Sequence, residues 1–279
     1  MFTANVDLDR YCARLGYAGP REPNRATLAA LLEAHPAAIP FENLNPLLGW
    51  AVRLEPDALQ RKLLDEGRGG YCYEHNLLLG HVLTAMGFDV STLAARVHWN
   101  VPAAELRPRT HLALRVVLDG IPYLVDAGFG GPGPTGPLRL EPDTTQPTPH
   151  DRYRLVHDGG TWRLDVDLPS GWTALYGFAP EPSPMVDCEV GNWYVSTHPR
   201  SIFVTTLMAA RSVPGRRVTL RNQDLTIRGT DGRVSHRQLG GPAEIRAVLT
   251  ETFGVRVPDA PGLDDALARV CAGGASQAR

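Results

Sequence analysis

The stretch THLALRVVLDGIPYLVDAGFG (residues 110–130) decides the fold, because it predicts a β-hairpin. Asp119 and Gly120 form a two-residue turn signal between runs of β-branched and aliphatic residues. In such a turn Leu118 faces Ile121, and side chains alternate between the two faces of the hairpin. One face is then apolar and comprises Leu112, Leu114, Val116, Leu118, Ile121, Tyr123, Val125 and Ala127.

The opposite face of this hairpin carries His111 and Asp126. In this register Asp126 faces Ala113, so His111 is its diagonal neighbour, roughly 7–8 Å away and within reach of a side-chain contact. Two interpretations are open. The pair is either a functional His–Asp couple or two solvated residues on an exposed sheet face. A longer turn would shift the register and change the pairing.

A second unusual stretch is RGGYCYEHN (residues 68–76), in which Cys72 begins a predicted helix. Gly69 and Gly70 allow close backbone approach and unusual dihedral angles just before it. A cysteine in the first turn of a helix lies at the positive end of the helix dipole, which favours the thiolate. An imidazole that accepts the thiol proton and a carboxylate that orients the imidazole would complete a nucleophilic site. Cys72, His111 and Asp126 supply these three roles.

His75 is the alternative base, because it lies three residues after Cys72 on the same helix face. Its side chain projects roughly parallel to the cysteine, however. Glu74 points away by about 100°, so no carboxylate orients the His75 ring. We therefore expect His111 to be the base and His75 to be a structural polar residue near the site.

The composition narrows the possible functions. The chain has 279 residues, 43% of them hydrophobic and 21% charged, which is ordinary for a globular protein. A formal net charge of −2 argues against general affinity for nucleic acid or anionic membranes. Lys62 is the only lysine and is expected on a charged helix face, so Schiff-base and phosphate-loop lysine chemistry are not indicated.

The cysteines and the N-terminus bear on compartment and metal binding. Cys12, Cys72, Cys188 and Cys271 are scattered without a C-x-x-C pair, so we expect neither a zinc site nor a disulfide framework. The N-terminal residues include early acidic side chains and no apolar run, so no signal peptide is expected. No apolar run is long enough to span a bilayer, and a cytosolic protein is expected.

The chain divides by the period of its hydrophobic pattern. Helical spacing continues to about residue 90, and a period of two then predicts a sheet or barrel. A mixed α/β region follows from about residue 183. Its strands include one around FVTTLMAARSV, and GPAEIRAVLTETFG (241–254) is predicted to be the final helix.

The stretch GFGGPG (residues 128–133) fits the spacing G-x-G-x-x-G and follows a strand. Pro132, Pro134 and Pro137 forbid the helix that a dinucleotide-binding fingerprint must open, so a Rossmann fold is rejected. Two interpretations of the loop stay open. Its backbone N–H groups either form a nest for phosphates or belong to a plain turn.

Taken together, these motifs resemble those of the arylamine N-acetyltransferases, particularly the prokaryotic ones. The resemblance covers most of the chain, and the motifs occur in the family's order. They are IPFENL (39–44), RGGYCYEHN (68–76), THLALRV (110–116), VDAGFGG (125–131), PTGPLRL (134–140) and NWYVSTHP (192–199).

This resemblance implies an α+β fold in three parts. A helical bundle over 1–90 carries the nucleophile, an antiparallel β-barrel over 91–190 carries the His and the Asp, and an α/β lid covers 191–279. It implies that Cys72, His111 and Asp126 form a triad similar in arrangement to that of papain-like cysteine proteases and transglutaminases. It also implies ping-pong transfer, in which acetyl-CoA acylates Cys72 and an arylamine or hydrazine attacks the thioester. No metal or prosthetic group is implied.

The resemblance also implies substrate contacts. The residues expected to bind the amine are Phe129, Phe203 and Tyr71. Those expected to contact CoA are Trp99 and the loop residues Gly130, Gly131 and Thr135. Two positions depart from common family residues: many relatives have glutamine where His75 stands, and aspartate is common where Asn45 stands.

Other functions stay open at the level of sequence. An amide synthase on the same scaffold, which closes a macrolactam from a carrier-bound acyl chain, would share the triad. A cysteine hydrolase would use the same nucleophile without an amine acceptor, and a non-catalytic binding scaffold would have no activated thiol. The nearly complete motifs of the lid favour the acetyltransferase.

Overall fold

The N-terminal part of the chain is helical. A computed structural model describes residues 2–102 and 105–274. The second helix starts at Arg25, where the Asn24 side chain caps it by accepting from Thr27 N at 2.9 Å. The helices of this part are α1 (Leu8–Leu15), α2 (Arg25–Ala38), α3 (Leu44–Leu47), α4 (Pro56–Gln60), which continues into a π-helical turn (Arg61–Asp65), and α5 (Cys72–Ala85).

Helix α5 lies at the centre of the molecule. Every residue from Cys72 to Leu83 is buried, as expected for a helix that is covered on all sides. Leu78 and Val82 belong to the same core cluster as residues of the hairpin's apolar face. Gly87 follows the helix with φ of +88°, a left-handed conformation that glycine adopts without strain.

The middle of the chain forms an eight-stranded antiparallel sheet that is nearly closed into a barrel. Its order is β5-β4-β3-β2-β9-β8-β7-β6, so the pairing of β2 with β9 joins two consecutive sets of strands. The strands are β2 (Asp89–Val97), β3 (His111–Leu118), β4 (Ile121–Val125), β5 (Leu138–Arg139), β6 (Gln146–Pro147), β7 (Arg152–Asp158), β8 (Thr161–Leu168) and β9 (Gly171–Phe178).

The β3–β4 hairpin has the predicted register, with Leu118 paired to Ile121 and Leu114 to Val125. Its apolar face packs on α5, and its other face lies in a second core cluster with residues of β7–β9. His111 and Asp126 are only 3% and 1% exposed. The alternative of an exposed sheet face is therefore wrong.

The last part combines a five-stranded sheet with four helices. The sheet order is β1-β10-β11-β12-β13, and β1 comes from the N-terminal part, so this sheet is tied to the helical region. The strands are β1 (Phe41–Glu42), β10 (Met208–Val213), β11 (Arg216–Arg221), β12 (Asp224–Gly229) and β13 (Val234–Gln238). The helices are α6 (Met185–Thr197), α7 (Ile202–Thr205), α8 (Pro242–Glu251) and α9 (Leu263–Gly274).

Some sequence expectations differ from the structure. The predicted final helix corresponds to α8, but α9 follows it, because Leu263, Ala266, Leu267 and Val270 repeat at helical spacing and are buried. Residues 202–205 are helical rather than extended. The region boundaries at 90 and 190 stay predictions. None of the helices within the described residues is long and apolar enough to cross a membrane.

Candidate active site

Cys72 is the first residue of α5 and is 4% exposed. Glu74 Oε2 accepts from the backbone N–H of Tyr71 at 3.1 Å, which fixes the turn that leads into the helix. The Cys72 Sγ atom lies 3.8 Å from the carbonyl oxygen of Thr110, the residue before His111. Helix α5 thus places the thiol beside the start of strand β3.

The two glycines before Cys72 let the backbone pack closely. A Cβ atom on Gly69 would collide with the Pro40 carbonyl, and one on Gly70 would lie 2.8 Å from Glu74 Oε2. Glu42 N donates to the Gly70 carbonyl at 2.7 Å, so the two segments pair side by side. Neither glycine has a positive φ, so the expectation of unusual dihedral angles is wrong, whereas that of close approach is confirmed.

A buried ion pair between Arg68 and Glu42 stabilises the turn that leads into α5. Arg68 Nε donates to Glu42 Oε1 at 2.9 Å, and Glu42 Oε2 accepts from Leu44 N at 2.6 Å. Burial would raise the pKa of Glu42, but Arg68 and Lys62 more than offset it, so the pKa is lowered and the carboxylate stays charged. Arg68 Nη2 also donates to Asn45 Oδ1 at 2.9 Å. The neutral amide at position 45 accepts this bond, whereas the aspartate that is common there in the family would also add a negative charge.

His111 and Asp126 form a buried pair, with 2.7 Å between His111 Nε2 and Asp126 Oδ2. The other carboxylate oxygen of Asp126 accepts from Asn76 Nδ2 and from Gly128 N, both at 2.9 Å. Burial would raise the pKa of Asp126, but His111, Asn76 and Gly128 outweigh burial and lower it. Asp126 is therefore a fixed carboxylate that can orient and charge the imidazole.

The charge state of His111 depends on both Asp126 and Cys72. Burial would lower the pKa of His111, but the charge and hydrogen bond of Asp126, followed by those of Cys72, raise it to about 10. The imidazole ring is enclosed by two aromatic rings, Phe129 at 5.2 Å and Tyr176 at 4.7 Å between centroids. The surroundings therefore favour an imidazolium that is held in one orientation.

Asn76 is a site residue that the sequence analysis did not assign. Its amide donates to Asp126 and, at 2.6 Å, to the Leu112 carbonyl, while its Oδ1 accepts from Ala127 N at 2.9 Å. It thereby joins α5 to strand β3 and to the segment that follows strand β4. Its position four residues after Cys72, on the same helix face, was the signal that could have revealed it. Tyr176, on β9, offered no comparable signal.

His75 is fully buried, and its bonds point away from the thiol. Its Nε2 lies 3.0 Å from the Gly70 carbonyl and 3.2 Å from that of Pro40, and its Nδ1 lies 2.8 Å from His35 Nε2. Tyr11 Oη in turn lies 2.8 Å from His35 Nδ1. Burial lowers the pKa of His75 to about 4 despite its carbonyl partners, so the ring is neutral near pH 7. These contacts suit a structural residue rather than a base.

The residues expected to bind the amine lie in two places. Phe129 contacts His111 directly, as described above. The Phe203 ring packs edge-on against Tyr71, with 5.7 Å between centroids, and at a tilt against Phe41, with 6.0 Å between centroids. Tyr71 itself is fully buried, and its hydroxyl donates to the Asn192 side chain. Phe129 and Phe203 are only partly buried, and their contact with an amine stays a prediction, as does that of Tyr71.

The loop expected to contact CoA adjoins the catalytic candidates. Gly130 and Thr135 line a pocket that also includes Asp126 and Phe129, whereas Trp99 is not part of its lining. Trp99 is half-buried against the barrel core, and its backbone N–H donates to the Leu175 carbonyl at 3.0 Å. The Gly131 carbonyl accepts a hydrogen bond from Arg217, on β11. The four CoA contacts stay predictions.

Lys62 does not lie on a charged surface face as expected. Its Nζ is 2.6 Å from Glu74 Oε1, and the two side chains are 12% and 2% exposed. It neutralises the carboxylate that caps α5, which is a structural role. The four cysteines are free thiols. Within residues 2–102 and 105–274, no three His, Cys, Asp or Glu side chains are arranged to hold a metal ion.

Comparisons with known proteins agree with this architecture. A family model described as N-acetyltransferase matches residues 25–261. An arylamine N-acetyltransferase from Mycolicibacterium smegmatis is 43% identical over 263 residues, which are 93% of this chain and 95% of the relative. One from Escherichia coli is 38% identical over 254 residues, 91% of this chain and 90% of the relative.

A solved structure of a relative has the same fold. The structure of Mycobacterium marinum arylamine N-acetyltransferase in complex with CoA has a TM-score of 0.92 and 43% identity, covering 95% of this chain and 100% of that one. Fold and sequence therefore define an N-acetyltransferase. The chain belongs to the arylamine N-acetyltransferase family, as its motifs predicted.

Proposed function

We infer that this protein transfers an acetyl group from acetyl-CoA to the nitrogen of arylamines or arylhydrazines through a thioester on Cys72. The observation that carries the proposal is the buried His111–Asp126 pair at 2.7 Å, next to a cysteine at the start of a helix. A neutral thiol is a poor nucleophile near pH 7, and this pair supplies the proton acceptor that makes a thiolate.

Cys72, His111 and Asp126 each have a separate role in the two halves of the reaction. The Cys72 thiolate attacks the acetyl carbonyl carbon, and the C–S bond to CoA breaks while His111 returns a proton to the departing sulfur. In the second half, the amine attacks the Cys72 thioester, His111 accepts the amine proton, and the thiolate is regenerated. Asp126 stabilises the imidazolium in both halves and fixes which nitrogen faces the sulfur. The aromatic rings of Phe129 and Phe203 are the proposed amine contacts.

The test is CoA release from acetyl-CoA with and without an aniline or an aryl hydrazine. We expect release to rise with amine concentration and to vanish in Cys72→Ala. Cys188→Ala, which removes another buried thiol, is the matched control and should behave as wild type. No release with any amine would sink the proposal, and release that amines do not accelerate would indicate a hydrolase. A cytosolic location stays a prediction.

A further inference from the structure

Arg217, on β11, has a buried guanidinium whose hydrogen bonds are all satisfied. Its side chain is 5% exposed, and each of its five N–H donors has its own acceptor. The acceptors are Asp151 Oδ2 for Nε (2.8 Å), the Gly131 carbonyl (2.8 Å) and Ser212 Oγ (2.7 Å) for Nη1, and the Gly133 carbonyl (2.7 Å) and Tyr153 hydroxyl (3.0 Å) for Nη2.

Two of these acceptors belong to the loop of residues 130–135, which we call the glycine–proline loop. Gly131 and Gly133 each precede a proline, so their peptide groups offer a carbonyl but no N–H. Such a loop cannot hold itself by a ladder of backbone bonds, and Arg217 supplies the missing donors. The Tyr153 hydroxyl lies within hydrogen-bond distance of the carbonyls of Pro132 (2.8 Å) and Gly133 (2.9 Å), which share its single proton.

The consequence is that the loop's acceptors are occupied inside the protein. Four successive carbonyls, from Gly130 to Gly133, are bonded, the first of them by the N–H of Gly133 at 2.8 Å. A carbonyl oxygen carries partial negative charge and would repel an anionic ligand. A loop whose carbonyl oxygens are bonded within the protein, two of them to Arg217, leaves its open side suited to negative charge.

The charged groups around Arg217 also favour an anionic ligand, because their net charge is positive. Asp151 is shared with Arg228, which donates to its two oxygens at 2.7 and 2.9 Å. Two guanidinium groups therefore face one carboxylate, and the cluster is net positive. Arg217 itself lines the pocket that contains Asp126 and Phe129. The cluster thus borders the pocket next to the catalytic pair.

We propose that Arg217 is a positioning residue for the acyl donor: it shapes the glycine–proline loop so that the loop, beside the pocket, accepts the phosphate-bearing part of acetyl-CoA. The inference rests on the proposed function. Arg217 does not touch the reacting atoms, since Cys72, His111 and Asp126 are held by α5 and the β3–β4 hairpin. It should therefore affect donors that carry the nucleotide and spare donors that lack it.

The experiment compares acetyl-CoA with S-acetyl-N-acetylcysteamine, a thioester without phosphates, in wild type and in Arg217→Lys. Lysine keeps the charge but loses the fork that reaches two carbonyls. We expect kcat/KM with acetyl-CoA to fall about tenfold or more, mainly through KM, because charge-assisted hydrogen bonds are lost. With the truncated donor it should stay within about twofold. Arg228→Lys touches the same carboxylate but no loop carbonyl, so it should spare both donors.

Tyr153→Phe provides a second variant if Arg217→Lys does not fold. It removes the hydroxyl that contacts the Pro132 and Gly133 carbonyls and accepts from Arg217 Nη2, but it leaves the Arg217–Asp151 pair and both bonds from Arg217 to the loop in place. A smaller loss confined to acetyl-CoA is therefore expected. Parallel losses with both donors, an effect of Arg228→Lys equal to that of Arg217→Lys, or a change only in the KM of the amine would each overturn the inference. Failure of the wild type to use acetyl-CoA at all would instead overturn the proposed function.

Discussion

Gly128 is the point where the hairpin meets the nucleophile helix, and Gly128→Ala tests how closely the site is packed. A Cβ atom at this position would lie 2.7 Å from Cys72 Cα, 2.9 Å from the Cys72 carbonyl oxygen and 2.9 Å from Asn76 Nδ2. Carbon atoms in contact are normally about 3.5–4.0 Å apart, so the two elements must separate by roughly 0.8 Å. Backbone atoms cannot rotate out of the way as a flexible side chain could.

The displacement acts on the proposed catalytic geometry, because it pushes Cys72 away from the hairpin that carries His111 and Asp126. A misplacement of about 1 Å can cost on the order of 10²-fold in rate. Overpacking of this kind costs roughly 1–3 kcal/mol of unfolding free energy. We therefore expect acylation of Cys72 to slow by about two orders of magnitude while the protein still folds.

The assay is the single-turnover release of CoA on mixing enzyme with acetyl-CoA, with the melting temperature measured in parallel. Gly136→Ala is the matched control, because the nearest atom to its new Cβ would be Thr148 Cγ2 at 3.5 Å, an ordinary contact. It should acylate at the wild-type rate. An acylation rate for Gly128→Ala equal to that of Gly136→Ala would refute the idea that this contact sets the position of the nucleophile.

Three further outcomes are expected. A stoichiometric alkylating agent at mildly acidic pH should label Cys72 first, because burial raises the pKa of the other three thiols; equal labelling by mass spectrometry would count against a thiolate. His111→Ala should slow acylation by about 10²–10⁴-fold, whereas His75→Gln should be mild, and the reverse ranking would overturn the choice of base. Stability should fall with acid, because the folded state keeps His75 neutral down to a pKa of about 4, whereas the unfolded residue binds a proton below about 6.5. The loss, roughly 3 kcal/mol between these two pH values, should shrink in His75→Gln when urea unfolding is measured against pH.

The His111–Asp126 pair could be predicted because it depends on local rules. The Asp119–Gly120 turn sets the hairpin register, and alternation then decides which residues share a face with His111. The start of α5 at Cys72 was equally predictable, because the glycines before it and the i, i+4 spacing of Leu78, Val82 and Met86 after it mark a helix boundary.

The contacts that complete the site could not be predicted in this way. The i+4 spacing places Asn76 on the Cys72 face of α5, but its bond to Asp126, 50 residues away, depends on how α5 packs on the hairpin. The Lys62–Glu74 pair depends on an inward turn of a helix whose sequence looks amphipathic and charged. Arg217 is more remote still, since nothing near it in sequence points to the glycine–proline loop. Long-range polar contacts have no period, and therefore no local signal.

The chain of side chains from Tyr11 to Gly70 has a polarity, which changes what position 75 demands. The carbonyls of Gly70 and Pro40 can only accept, so His75 must donate from Nε2 and accept at Nδ1. His35 must then donate to it and accept from the Tyr11 hydroxyl. Each hydrogen bond in this chain therefore donates in the same direction, from Tyr11 on the first helix toward the turn before Cys72. A glutamine at position 75 also has one donating and one accepting end, so exchange between the two residues preserves the direction and dispenses only with the titratable ring.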